Sequence, residues 1–390
     1  MKRTLFSVMA VCAGATVANV YLAQPLLELI ATGLGVPRSA AGIVVTCAQF
    51  GYAAGILFLV PLGDVRRRRP LLTAMLSVTV VVLLVAAAAP GLAVLGSAAA
   101  AIGVATVVPQ VLIPLASELA PPDQRGRVVA RVQIGLMTGI VASRVVGGGV
   151  GELLGWRAVY VLAAVLTLVT GALTLRLLPA EPAKRGMGYG RLLGSLPGLL
   201  RDEPALRHSS LLQAGIFGGY TATWTTLVLV LTAAPYHFGN AVAGLFGLLG
   251  LGGSAVAPFA GRYVDRIGPT RVIVGSLVLV VASAGLYALG GHALAAMIAG
   301  IVLANVAIQA GQIANLARVF AYLPDARSRA NTVFMVTVFL TGALSAALAS
   351  AAYGLYGWAG ACGVQAALGL VSFLVVPFMR RYDRAQTSLE

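Results

Sequence analysis

Long apolar runs recur along this chain, and they constrain it more than any other feature. A helix crossing the hydrocarbon core of a bilayer needs about 20 predominantly apolar residues. Breaking the 390 residues at Pro, Gly and charge clusters gives twelve runs of that length, near 5–29, 39–62, 71–89, 92–117, 127–151, 157–178, 208–233, 241–263, 271–290, 293–319, 329–354 and 357–379. These are numbered below as spans 1 to 12. They are too long for membrane β-strands and lack the alternation of about ten residues that a barrel requires. Hydrophobic residues make up 59% of the chain and charged residues 10%, against about 25% charged in a water-soluble domain. Soluble enzymes, disulfide scaffolds and disordered chains are therefore excluded. Cys12, Cys47 and Cys362 all lie inside apolar runs and have no metal-ligand or disulfide spacing. Neither a metal nor a cofactor is expected.

The positions of the arginines set the orientation. With the N-terminus inside, all but three of the 27 Lys and Arg residues fall in inner segments. Arg38 and Arg157 are the outer exceptions, and Arg144 falls within span 5. This bias predicts a multi-pass protein of the cytoplasmic membrane with both termini cytoplasmic. The net charge of +15 is then a topological signal with attraction to anionic lipid; the expected partners are the bilayer, a small-molecule substrate and protons, with no nucleic acid, and a monomer is expected. Lys2 and Arg3 before an apolar stretch resemble a secretory signal. The run continues through Asn19, Tyr21 and Gln24-Pro25, so it is read as a span.

Two halves of the chain repeat at an offset of about 202 residues. Ala41-Gly42 recurs as Ala243-Gly244, Pro122-Asp123-Gln124-Arg125 as Pro324-Asp325-Ala326-Arg327, and Gly155-Trp156 as Gly357-Trp358. Small residues recur every fourth position in span 5, at Gly135, Gly139, Ser143, Gly147 and Gly151. They suit close backbone approach by a neighbouring helix. Six spans per half is an even number, so both halves enter the membrane the same way round. The expected fold is all-α and polytopic, with twelve transmembrane helices in two parallel six-helix bundles. Residues 1–178 are read as the first bundle, 179–206 as a cytoplasmic linker and 207–390 as the second; segment 191–201 of the linker is suited to lie on the membrane surface.

The inner loops carry a family resemblance. Pro61-Leu62-Gly63-Asp64-Val65-Arg66-Arg67-Arg68-Arg69 stands between spans 2 and 3. Gly261-Arg262-Tyr263-Val264-Asp265-Arg266-Ile267-Gly268 stands between spans 8 and 9. Both resemble the G-x-L-A-D-R-x-G-R-R signature of the major facilitator superfamily. The first copy has Val60, Val65 and Arg67 where Gly, Arg and Gly are usual. In span 5, Gly139, Ser143, Arg144, Gly147 and Gly148 resemble the motif of drug–proton antiporters, with Arg144 in place of its proline. Ala23-Gln24-Pro25-Leu26-Leu27 is similar to a bacterial branch of metabolite and drug exporters. The family's arginine in span 4 is absent; Ala99 and Ile102-Gly103 occupy that region.

The resemblance implies the major facilitator fold and alternating access. It also implies gating by Asp64 and Arg68 in the first loop and Asp265 and Arg266 in the second, each acid facing a helix N-terminus while the inner side is shut. Spans 1, 4, 7 and 10 would line the cavity. They carry Asn19, Tyr21 and Gln24; Gln110; Gln213, Tyr220, Thr223 and Trp224; and Asn305, Gln309 and Gln312. Gln49 and Tyr52 of span 2 and Asn331, Phe334 and Thr337 of span 11 are further candidates. Interhelical hydrogen bonding is the competing role for each.

Arg144 is the one charge placed deep in a span, and such a charge is functional by default. Glu28 is its expected partner, giving a charge pair for proton coupling or for an acidic group of the solute. The expected function is secondary active transport of a small organic solute, as proton-coupled export of a drug or metabolite. Uptake or facilitated diffusion, and a non-transporting sensor on the same fold, are the alternatives. No G-x-S-x-G, H-E-x-x-H or P-loop occurs, and neither lysine lies in a span. An enzyme, a retinal protein and an ATP-driven pump are not expected.

Overall fold

The computed structural model describes residues 2–121, 124–179 and 188–387. Side chains of residues 2, 3, 64, 251–258, 325 and 387 lie outside the description. The described residues form helices joined by short turns, with no strand among them. Among the described residues, ten helical stretches are long and apolar enough to cross a membrane. The last, Arg327–Gln386, holds expected spans 11 and 12 in series. Helix Leu249–Ile267 fills expected span 8.

The chain divides into two compact units. One comprises Met1–Arg191 with Phe238–Gly247, the other Leu192–His237 with Leu248–Glu390. Segment Phe238–Gly247 thus packs with the first unit although it follows span 7 in the chain.

In the first unit, proline and glycine decide where the spans break. Span 1 is the helix Lys2–Tyr21. Pro25 lacks an N–H and cannot continue the α-helical ladder; a 3₁₀ turn, Gln24–Leu26, follows, and the chain resumes as helix Leu27–Leu34. Span 4 divides likewise into Leu92–Ala105 and Val108–Leu119, ahead of Pro109. Span 5 is the helix Arg125–Leu154 and span 6 the helix Trp156–Leu177. Gly155 between them has φ +82°, a region open to glycine and strained for other residues. Its repeat partner, Gly357 between spans 11 and 12, has φ +61°. The two halves therefore share a backbone device at equivalent positions.

Glycine also sets the packing of span 5 on span 1. A Cβ on Gly139 would overlap the backbone of Gly14, and one on Gly135 the backbone of Ala10. Gly147 and Gly151 continue the row against Pro25 and Leu26. Polar side chains inside the unit bond across helices. Asn19 Nδ2 donates to Thr106 Oγ1 at 3.3 Å and Thr167 Oγ1 at 3.2 Å, and Thr106 Oγ1 donates to the Thr16 carbonyl at 2.6 Å. Bonds of this kind contribute about 0.6 kcal/mol each in a membrane bundle.

In the second unit, Thr223 of span 7 donates to Gln365 of span 12 at 2.6 Å. Gln365 in turn donates to Ser283 Oγ at 2.6 Å and the Val280 carbonyl at 3.0 Å in span 9. The linker helix Tyr189–Asp202 buries Leu192 and Leu196 on one face.

Candidate functional site

Arg144 is the centre of the first unit's polar site. It lies on helix Arg125–Leu154 and is 4% exposed. The turn Gln24–Leu26 presents the Gln24 amide to it: Arg144 Nε and Nη2 each donate to Gln24 Oε1 at 3.4 Å. The guanidinium also lies 5.6 Å from the centroid of the Tyr21 ring, within reach of a cation–π attraction. The arginine's stem is tightly enclosed, since a Cβ on Gly247 would lie 2.8 Å from Arg144 Cβ. The Gln24 amide oxygen and the Tyr21 ring face are thus among the groups at this buried cation; a guanidinium's planar fork is suited to bidentate binding of a carboxylate.

The structure does not bring Glu28 to Arg144 as the sequence suggests. Glu28 Oε1 instead accepts from Arg38 Nη2 at 2.6 Å. The break at Pro25 is the physical reason. On an unbroken helix Gln24 and Glu28 would share a face, but a 3₁₀ turn advances each residue further around the axis. Gln24 takes the arginine, and Glu28 faces the start of span 2. Another carboxylate, Glu152, accepts from the Ala241 amide at 2.6 Å and holds segment Phe238–Gly247 on span 5.

Other expected cavity residues of this unit are dispersed. Gln110 Nε2 donates to Tyr52 Oη at 3.4 Å. Gln49 is buried, with no hydrogen-bond partner for its Oε1. Asn19 spends its amide nitrogen on the threonines described above and so takes an interhelical role. At the opposite end, Arg68 is buried and makes a bidentate pair with Glu118 at 2.6 and 2.7 Å, with Nε donating to the Gly63 carbonyl at 3.3 Å. The loop after span 2 is thereby clamped to the end of span 4. The side chain of Asp64 lies outside the described residues.

In the second unit, Tyr220 and Trp224 of span 7 form an aromatic pair with centroids 5.6 Å apart. Gln213 is fully buried and accepts from Asn315 Nδ2 at 3.3 Å, while Asn305 donates back to the Ile301 carbonyl of its own helix. Gln309 and Gln312 are half-buried and make no hydrogen bond among the described residues. Asp265 and Arg266 are exposed.

One charge cluster of this unit lies outside any sequence motif. Arg318 is 1% exposed and pairs with Asp383 of helix Val376–Thr387 at 2.7 Å. It also donates to the Ala205 carbonyl at 2.8 Å and Ser209 Oγ at 2.9 Å. Thr270 and Tyr322 donate to the same carboxylate at 2.7 and 3.1 Å. The inner ends of spans 7, 9 and 10 are thus tied to the C-terminal helix.

Comparison with known proteins identifies the family. The model of the Major Facilitator Superfamily matches residues 8–192 and 209–390. The chain is 45% identical over 366 residues to "Probable transporter SCO4007" of Streptomyces coelicolor, covering 94% of this chain and 85% of that one. It is 36% identical over 375 residues to "Putative uncharacterized transporter YgaY" of Escherichia coli K12, covering 96% and 95%. Among solved structures, a single-residue variant of nucleoside transporter NupG superposes with a TM-score of 0.76 at 14% identity, over 97% of this chain and 100% of that one. That likeness concerns the fold. The chain belongs to the major facilitator superfamily: it is a multi-pass membrane protein and a transporter of that class.

Proposed function

We propose that the protein exports a small organic solute across the cytoplasmic membrane by alternating access, driven by protons, with both termini on the cytoplasmic side. The observation that carries this reading is Arg144, a cation buried at 4% exposure against Gln24 and Tyr21. Charge at that depth is costly and is retained where it serves a solute or an ion. The solute class that fits has one acidic group for the guanidinium and an amphipathic body. In the second unit, taken by itself, Gln309 and Gln312 are candidate amides for solute contact, and Tyr220 with Trp224 is a candidate ring face. The small-residue row with Gly139, Ser143, Gly147 and Gly148 resembles the efflux members of the superfamily and supports export over uptake.

Glu28 and Glu152 are the carboxylates near the outer ends of their helices, and they are the candidates for proton uptake. Protonating Glu28 removes its charge from Arg38, and protonating Glu152 weakens its hold on Ala241.

The test is flux in proteoliposomes loaded with small organic acids and neutral analogues, with and without an imposed pH gradient. Acid-selective movement that accelerates when protons flow in the opposite direction is expected. Equal rates with and without the gradient would reduce the protein to a facilitator, and an absence of flux with retained ligand binding would make it a sensor.

A further inference from the structure

The C-terminal helix Val376–Thr387 has two unlike faces. Val376 and Met379 are buried in the second unit, and Asp383, on the same helical row, receives Arg318. Phe378, Arg380, Arg381 and Arg384 are exposed. None of these three arginines takes part in an ion pair among the described residues. One face is therefore committed to the bundle, and the other presents a ring and three cations.

Chain continuity identifies what meets the exposed face. The helix of span 12 runs to Phe373. Pro377 has no N–H for the Phe373 carbonyl, so the ladder breaks and the chain restarts at once as the C-terminal helix. Leu370, Val371 and Leu374, at the end of the span, are 56, 60 and 68% exposed, and Phe378, one turn on, is 60% exposed. Large apolar groups exposed on a membrane-spanning helix face acyl chains. From Leu374 the exposed row passes through Phe378 to Arg381 in about two helical turns, with Arg380 and Arg384 beside it. Apolar groups followed by guanidinium groups repeat the order of a leaflet from acyl chains to phosphates. A basic cluster on an amphipathic helix next to a span suits an anionic membrane surface. An acidic protein would match the charge but not the apolar row that runs unbroken into the span.

We propose that the C-terminal helix is an interfacial anchor for anionic phospholipid in the leaflet at that end of span 12. Phe378 lies among the acyl chains, and Arg380, Arg381 and Arg384 bind the headgroup phosphates. The opposite face of the same helix carries Asp383, which holds Arg318, Thr270 and Tyr322. Lipid that fixes the outer face therefore steadies the lock on the inner ends of spans 9 and 10.

The experiment titrates the purified full-length chain in detergent with phosphatidylglycerol and, separately, with phosphatidylcholine of the same chain length, and counts bound lipid by native mass spectrometry. Phosphatidylglycerol should be preferred, and Arg381→Gln should lower that preference roughly fivefold. Arg380→Gln, Arg381→Gln and Arg384→Gln together should lower it further and should remove the rise in melting temperature that phosphatidylglycerol gives the wild type. Arg66→Gln, Arg67→Gln and Arg69→Gln together make the same change of charge on the first unit and should have the smaller effect. In vesicles of phosphatidylglycerol brominated on its acyl chains, the emission that Phe378→Trp adds to the wild-type background should be strongly quenched. Equal retention of the two lipids by the wild type, or an equal fall in the two triple variants, would overturn the headgroup site. Unquenched Phe378→Trp emission would overturn the placement of the helix at the membrane.

Discussion

Asp383→Asn isolates the contribution of the C-terminal helix to the second unit. The carboxylate receives Arg318 Nη2 at 2.7 Å and Nε at 3.1 Å, together with Thr270 and Tyr322. Arg318 is 1% exposed and Asp383 22%, so removing the negative charge strands a cation that water reaches poorly. Breaking a buried pair in this way costs about 3–5 kcal/mol. Asn retains one carbonyl acceptor, and the site of Asp383 is partly wet. Both reduce the expected loss, to about 2–3 kcal/mol. The assay is thermal unfolding of the purified chain in detergent. Arg318→Met combined with Asp383→Leu should recover much of the loss, because an apolar pair of similar volume leaves no charge stranded. Recovery should be incomplete, since the Ala205 carbonyl and Ser209 each lose the Arg318 donor. A melting temperature for Asp383→Asn within about 1 °C of wild type would refute the reasoning. So would a double variant less stable than the single one.

Arg144→Lys keeps the charge but loses the planar fork; transport of organic acids should fall by about tenfold or more while neutral analogues are spared, as read by flux in proteoliposomes. Gly139→Ala should sharply reduce the yield of folded protein, because its Cβ meets the Gly14 backbone, whereas Gly149→Ala, with open space around its Cβ, should be neutral or stabilising by up to about 1 kcal/mol; size-exclusion chromatography and thermal unfolding distinguish them. Gln309→Ala should weaken solute binding with little change in melting temperature. Asn315→Ala should do the reverse, costing about 1 kcal/mol, because it removes a donor to fully buried Gln213.

How much of this was legible in the sequence depends on how far each feature reaches. Span placement is local: apolar length and the breaks at Pro, Gly and charge set it. The glycine turns at Gly155 and Gly357 were visible as a repeated Gly-Trp, because a positive φ is a property of one residue. The row Gly135, Gly139, Gly147 and Gly151 was visible as periodicity, and the structure supplies its counterpart on span 1. Arg144 could be placed at depth from its position within span 5. Its partner could not be, because that choice rests on one turn of backbone. Proline at position 25 is plain in the sequence; the rotation it imposes is not. Gln24 and Glu28 are one helical turn apart, and that rotation decides which of them meets the arginine.

Arg318 and Asp383 are 65 positions apart, and neither lies in a motif. Their pairing follows from the C-terminal helix crossing the ends of spans 7, 9 and 10, which no periodicity along the chain encodes. Arg68 shows the same limit within a motif. Its sequence context implied gating, yet its bidentate partner, Glu118, stands 50 positions away at the end of span 4. A charge buried in such a chain announces that a partner exists. Packing at long range decides which residue it is, and each amide committed inside a bundle, such as Asn19 or Gln213, leaves fewer polar groups for a solute.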